Sequence, residues 1–380
     1  MAAELPLRAG LDCHMAGGRE TGNETWVLGL VKGFQELGAE VELVAYHVNS
    51  PWTQPGGGVS FRKLVAGSPY FRLVVELPLR SLSDRLDVLH MTYVGPVWSA
   101  SPVLLTVHDI SYVINPEWFS RRDLRVLNAA IPGAIRRATL VHTVSEDSRR
   151  TILERYDVAP DKVRVVPSGA GPAGEPIDLE EARKLVMGLG LDPSRPYLLS
   201  VGNLQPRKNL VRLIDAYQRL LATGQADVDL VLVGPKHYQA VDIFAAAASI
   251  AARIHFTGYL DNRQLAACYR CCAAFVFPSL YEGFGAPAVE AMIHGVPITS
   301  ARAGSLPEVC QDAALYFDPL DVEAMAAAMA QVLNDSGRRD QLVAAGRVRA
   351  KEFEWRKNAA RVLELYREVA GRSDSSHNSR

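Results

Sequence analysis

Nowhere in this chain do about 18 uncharged apolar residues follow one another, the run a bilayer-crossing helix needs. The first residues, MAAELPLRAG, also lack an apolar stretch of the signal-peptide kind. Neither a membrane span nor export is expected, and a cytoplasmic setting follows. A dominant charge is missing too: 41 Lys and Arg meet 42 Asp and Glu, a net of −1, so no global field recruits nucleic acid. Cysteine is sparse, five residues and an odd number. Cys268, Cys271 and Cys272 fall at helical spacing on one face, with no nearby Cys or His pair to complete a zinc site. That usage suits a reducing compartment. No short-period repeat occurs.

What is present is the 48% hydrophobic, 22% charged profile of a globular α/β protein, with 380 residues for two domains. Short apolar runs alternate with amphipathic segments, the pattern of parallel sheets covered by helices. Strands are expected at 7–13, 41–46, 87–91, 102–108, 140–144 and 163–167, then at 197–204, 228–234, 253–259, 273–279 and 297–300. Helices are expected at 25–37, 209–222, 262–271, 287–294 and 321–333. Between the two sets, SGAGPAGEPID at 168–178 holds three Gly and two Pro and reads as a linker. The expected domains are therefore 1–170 and 171–355, followed by a crossover helix at 356–370 packing back on the first domain and a tail at 371–380. Two Rossmann-like, doubly wound domains facing one cleft would place their strand C-terminal edges along it.

Strand-end residues carry the chemistry. In SLYEGFGAPAVEAM (279–292), Glu282 follows the run AAFVF and precedes Gly283, Phe284, Gly285 and Pro287, and Glu290 comes eight residues after Glu282. Glycines let backbone N–H groups approach a ligand, and Pro287 suits a first helical turn. Two acceptor-only carboxylates around such a turn suit a polyhydroxylated ligand. Capping a helix is the alternative for Glu290; Glu282 has no cap to make. In SVGNLQPRKNL (200–210), Gly202 opens a loop that sets Arg207 and Lys208 before a helix that Asn209 is expected to cap. Two cations there repel the helix dipole and suit an anion such as a diphosphate, unless they are simply solvated. HDISYVINPEWF (108–119) places His108 at a strand end, either to exchange hydrogen bonds with a hydroxyl or leaving oxygen, or as a structural residue. AGGRETGNETW (16–26) is a Gly-rich loop feeding a helix, without dinucleotide-fingerprint spacing. Asp227-Val228-Asp229 has DxD form but precedes the strand LVLVG and reads as a turn. From Trp118 to Arg155, eight arginines oppose four acids, as a solvated helical face or a phosphate- or lipid-facing patch.

Together these segments resemble glycosyltransferase family 4, the retaining GT-B enzymes whose hallmark is Glu, seven residues, Glu, and especially its bacterial mannosyltransferase-like branch. The likeness spans about residues 7–370. It implies that Arg207 and Lys208 bind the donor diphosphate, Glu290 the ribose, and Glu282 with the backbone of Gly283, Phe284 and Gly285 the donor sugar. His108 would meet the sugar or reacting centre, Tyr259 and Leu260 in TGYLDN the base, and Gly22 the phosphates and acceptor. The N-terminal loop departs from the family at Thr25-Trp26, where members often carry an Arg-aromatic pair. The implied activity moves a hexose, mannose first, from a nucleotide diphosphate sugar to a saccharide, lipid-linked or small hydroxyl acceptor with retention of configuration. GDP-mannose is the expected donor and a UDP-sugar the next. No metal or other cofactor is implied, because Arg207, Lys208 and helix dipoles take the place of a divalent ion. Peripheral membrane contact at 121–155 would suit polysaccharide or glycolipid synthesis. An epimerase, a sugar-phosphate synthase and a catalytically silent nucleotide-sugar-binding protein share the scaffold as alternatives.

Overall fold

The computed structural model describes residues 6–17, 21–38, 40–49, 55–65, 68–224, 226–236 and 239–371. Two compact units divide it: Met1–Gly169 with Glu354–Arg380, and Ala170–Phe353. Residues 372–380, most of the expected tail, lie outside the described residues.

In the first unit, β1 (Leu7–Asp12), β2 (Val41–His47), β3 (Val59–Lys63), β4 (Val88–Thr92), β5 (Val103–Thr106), β6 (Leu140–Thr143) and β7 (Val163–Val165) form one sheet, ordered β3-β2-β1-β4-β5-β6-β7. Every pairing is parallel, as in Leu11 opposite Ala45 and Thr92 opposite Thr106. β4 is fully buried although its run VLHMT carries His90 and Thr92 among its apolar residues. The chain winds outward from β1 in both directions, so right-handed crossovers put helix Thr21–Leu37 on one face and the helical stretch 69–83 on the other. The helix Trp355–Val369 belongs to this unit, as expected of a chain that crosses back. Gly29 and Gly33 make room for it: a Cβ at Gly29 would come within 1.9 Å of the Trp355 ring, and Phe34 stacks on Tyr366 at 5.6 Å.

The second unit repeats the design. β8 (Tyr197–Val201), β9 (Asp229–Val233), β10 (Ile254–Gly258), β11 (Ala274–Phe277), β12 (Ile298–Ala301) and β13 (Ala314–Phe317) form a parallel sheet ordered β10-β9-β8-β11-β12-β13. The winding reverses between β8 and β11, which opens a crevice at their C-terminal ends. Expected strands match apart from β3 and β13, which the sequence reading missed, as it missed the helical stretches 69–83, 179–188 and 336–350. β3 and β13 are sheet edges, each with one strand neighbour, and VSFRK needs no apolar run there.

Candidate functional site

Both conspicuous segments of the second unit leave the sheet at this reversal. After β8, Gly202 has φ +150°, and a Cβ on it would stand 2.6 Å from Lys208 Cε. The missing side chain is what lets the lysine run back across the strand end. Arg207 and Lys208 share a single 3₁₀ turn, Pro206–Lys208. After β11, Glu282 accepts hydrogen bonds from both: Arg207 Nη1 to Oε2 at 2.6 Å and Lys208 Nζ to Oε1 at 2.6 Å. Arg207 also donates to the Tyr281 carbonyl (2.9 Å) and accepts from the Leu280 N–H (2.9 Å), stitching the two loops together. The Lys208 ammonium lies 5.2 Å from the Phe277 ring centroid. Lys208 and Glu282 are buried. The repulsion expected between the two cations and the helix dipole is therefore offset within the protein, by the carboxylate for which the sequence offered no structural partner. Burial would raise the Glu282 carboxyl, but Arg207 and Lys208 outweigh it and hold it at about 2. Burial lowers the Lys208 ammonium, against Glu282, which raises it. Two cations against one carboxylate leave an anion-seeking centre.

Asn209 does not cap the following helix. A capping side chain needs an extended backbone to reach over the first turn, whereas Asn209 is left-handed at φ 57°. Its Nδ2 instead donates to the carbonyls of Pro278 (3.1 Å) and Pro319 (2.7 Å), tying together the loops after β8, β11 and β13. The turn at Gly283–Gly285 is strapped from the loop after β12. Ser305 N–H donates to the Glu282 carbonyl at 3.1 Å, its hydroxyl lies 3.0 and 2.9 Å from the Glu282 and Phe284 carbonyls, and a Cβ on Gly304 would stand 2.7 Å from Glu282 O. Sequence reasoning passed over Gly304 and Ser305. The only signal was a glycine just past an apolar strand.

Glu290 lies in the second turn of helix Ala286–Ile293, whose N-cap is Gly285 with no side-chain cap bond, so Glu290 does not cap. Its side chain is buried beneath the start of the unit: a Cβ on Gly174 would approach Glu290 Cγ to 4.0 Å, and His294 Nε2 donates to the Ala173 carbonyl at 2.6 Å. Burial pushes the Glu290 carboxyl up to about 7, while Tyr269 and the Gly171 N–H pull it down. Exposed Tyr259 and buried Leu260 follow β10. Their strand lies two places from β8, about 10 Å along the same edge.

In the first unit, His108 follows β5. Its Nε2 is buried without a hydrogen-bond partner among the described residues, and its ring packs edge-on against Trp26 (5.0 Å) and Tyr93 (5.6 Å). Burial, with His142 nearby, lowers it to about 3, so it is a neutral imidazole. Trp26, where the family pattern departs, is a core residue packed on His90, His108 and His142. A hydrogen-bond chain missed from sequence supports them: Tyr366 O–H to His90 Nδ1 (2.8 Å), His90 Nε2 to Thr106 (2.6 Å), Thr106 to His142 Nδ1 (2.8 Å), and His142 Nε2 to Val166 O (2.9 Å). The terminal carbonyl only accepts, and this fixes every proton upstream. Each histidine sits alone in an apolar run, so sequence offered no sign of the chain. Gly22 lies at the exposed start of helix Thr21–Leu37. Residues 18–20 of its loop lie outside the described residues.

Asp227 and Asp229 are no open turn. Arg195 and Arg253 clasp both at 2.7–2.8 Å, and His255 meets Asp229 at 3.1 Å, at the N-terminal end of β9, away from the crevice.

Two parallel doubly wound sheets, one with a cation pair at its reversal, define the GT-B class of glycosyltransferases. Solved structures agree over nearly the whole chain. Sucrose-phosphate synthase from Thermosynechococcus elongatus superposes with TM-score 0.76 at 21% identity, covering 97% of this chain and 100% of that one. Anabaena HepE, solved with UDP and glucose, gives 0.72 at 18% identity, covering 95% and 100%. Residues 183–349 match the family described as glycosyl transferases group 1, and residues 21–172 match glycosyltransferase family 4. The O-antigen chain mannosyltransferase B of Escherichia coli is 31% identical over 265 residues, 69% of each chain. The MMP alpha-(1->4)-mannosyltransferase of Mycolicibacterium hassiacum is 32% identical over 240 residues, 60% of this chain and 54% of that protein. The chain belongs to glycosyltransferase family 4 and is a mannosyltransferase-like glycosyltransferase.

Proposed function

We propose that this glycosyltransferase moves a hexose, mannose first, from a nucleotide diphosphate sugar to a hydroxyl acceptor with retention of anomeric configuration and without a metal ion. The observation that carries this reading is the pairing of half-buried Arg207 and buried Lys208 with buried Glu282 beside the Gly283–Gly285 turn. A diphosphate meets a buried lysine and a half-buried arginine that Glu282 already orients, so their attraction to the charge growing on the leaving group needs little reorganisation. Glu282 and the backbone of Gly283, Phe284 and Gly285 hold the sugar hydroxyls, Glu290 takes the ribose, and the backbone at Tyr259 and Leu260 takes the base. Gly202 opens the path of Lys208. His108 and Gly22, in the other unit, are assigned to the sugar and acceptor side. The bond from the anomeric carbon to the diphosphate breaks as the acceptor oxygen attacks from the same face, and the diphosphate takes the acceptor proton. No carboxylate is needed as nucleophile. The named activities of the mannosyltransferase relatives favour GDP-mannose, and the UDP and glucose of the HepE structure put a UDP-sugar second. The acceptor is a saccharide, a lipid-linked sugar or a small hydroxyl compound, met on the cytoplasmic side with peripheral membrane contact.

NMR of the first product formed from an α-linked donor in excess EDTA tests mechanism and metal independence together. An α-linkage is expected; a β-linkage, or loss of turnover restored by Mg²⁺ or Mn²⁺, overturns the reading. Lys208→Ala should lower kcat by about 10²–10³ and weaken nucleoside diphosphate binding, and unchanged kinetics would remove the diphosphate assignment.

A further inference from the structure

We propose that the outer helical layer of the first unit, residues 69–83 and 121–137 with the loop at 97–98, is a docking surface for an anionic lipid bilayer; the inference builds on the membrane contact in the reading above and gives it a location. The stretch 69–83 is inverted. Its polar residues Arg72, Glu76 and Ser81 are buried, with Arg72 3.7 Å from Asp12 and Glu76 accepting the Val65 N–H at 2.7 Å. Leu77 is buried in the core, but several other apolar residues face outward: Tyr70 is 80% exposed, Leu82 61%, and Phe71, Val74 and Leu79 are also exposed. Exposed Val97 and Trp98 extend the same surface, because Trp98 Nε1 donates to the Val74 carbonyl at 3.1 Å and Ala100 N–H to Ser81 Oγ at 3.2 Å. Buried ionic anchors hold the apolar face outward, so it cannot roll into the core. A contiguous patch of this kind marks a partner, and Trp and Tyr suit the boundary between headgroups and acyl chains.

Charge decides which partner. Leu77 shares one core with Ile131, Ala134 and Ile135, so helix Arg121–Arg137 covers the same face of the sheet. On that helix Arg121, Arg122, Arg125 and Arg136 are exposed, and none meets a carboxylate among the described residues. The rest of the basic stretch differs: Arg149 and Arg150 pair with Glu146, Asp147 and Glu154. Of the arginines in this stretch with no carboxylate pair among the described residues, all but Arg155 lie on helix Arg121–Arg137, which shares the core of Leu77. A second copy of the chain docking there by two-fold symmetry would set arginines against arginines, whereas anionic headgroups neutralise them while acyl chains take Tyr70, Val74 and Leu82.

Sedimentation with phosphatidylcholine vesicles, with and without phosphatidylglycerol, tests the surface. Binding is expected to the anionic vesicles only, and to weaken as salt rises. Replacing Arg121, Arg122 and Arg125 by Gln together should lower partition on the order of a hundredfold. Replacing Tyr70, Val74 and Leu82 by Ser together should lower it at every salt concentration. These side chains are exposed, so calorimetric GDP and UDP binding without vesicles should match the parent protein in both variants. Failure of the parent to bind either nucleotide would sink the donor reading and leave the vesicle result standing. Absence of binding to anionic vesicles at low salt, unaltered binding in both variants, or a solution dimer dissolved by the Ser variant would overturn the docking surface.

Discussion

Glu290 faces two opposed demands at a single carboxyl. Its folded pKa of about 7 lies above the ordinary carboxylate value of about 4.3, so the protonated form is the one that folding favours. Its contribution to stability is fully present below that ordinary value and is lost as pH rises through about 7. Ribose hydroxyls donate to the ionised form, so donor affinity under the proposed role gains over the same interval. Between about pH 5 and about pH 8 the parent protein should lose on the order of 3 kcal/mol relative to Glu290→Gln while binding donor more tightly. Melting curves and titration calorimetry across that range check both signs, and parallel curves for the two proteins would show that the carboxyl does not titrate there. Glu282 behaves oppositely. Held at about 2 by Arg207 and Lys208, it stays ionised throughout this interval, and its contribution is lost only as pH falls toward that value.

Loops that leave three strands meet at Asn209, and here an element is more than its residues. Asn209→Gly keeps the left-handed backbone without strain but removes the bonds to the Pro278 and Pro319 carbonyls. The variant should lose about 1–3 kcal/mol and, because Lys208 is its chain neighbour, lose donor kcat/KM as well. Thermal melts beside steady-state kinetics check this; normal values of both would show the strap to be idle. The elements themselves were legible where their patterning was conventional. The buried parallel strand β11 is apolar throughout and β9 is apolar after Asp229, and helix Asn262–Cys271 begins with a full capping box at Asp261 and Gln264. The stretch 69–83 was not legible, because a helix with buried Arg72 and Glu76 and exposed Tyr70 and Leu82 violates the rule by which amphipathic helices are read.

At the scale of the molecule, the first unit is incomplete until the chain has passed through the second and returned. Trp355 fills the space above Gly29 and Gly33, and Tyr366 anchors the histidine chain beneath β4 to β6. Gly29→Ala would drive a methyl into the Trp355 ring and should destabilise this unit by about 1–3 kcal/mol. Hydrogen exchange should then quicken in helix Thr21–Leu37 and in β1 and β4, with β8 and β11 unchanged. Equal loss of protection in both units would show that they open together.

Periodicity, spacing and turn chemistry are local, and they determined what is local. The alternation of strands and helices, the Gly-rich turn after Glu282, the cation pair before a helix and the linker near residue 170 could all be read along the chain. Partnership is not local. Lys208 and Glu282 are 74 residues apart, and Asn209 and Pro319 are 110 apart. Only the parallel winding that makes β8 and β11 neighbours turns two cations and a carboxylate, each unexplained alone, into one ion-paired centre. Burial is equally a property of the closed fold: Glu290 reads as a helix cap or a ligand in sequence, its place in the second turn of helix Ala286–Ile293 removes the first of those readings, and burial raises its pKa.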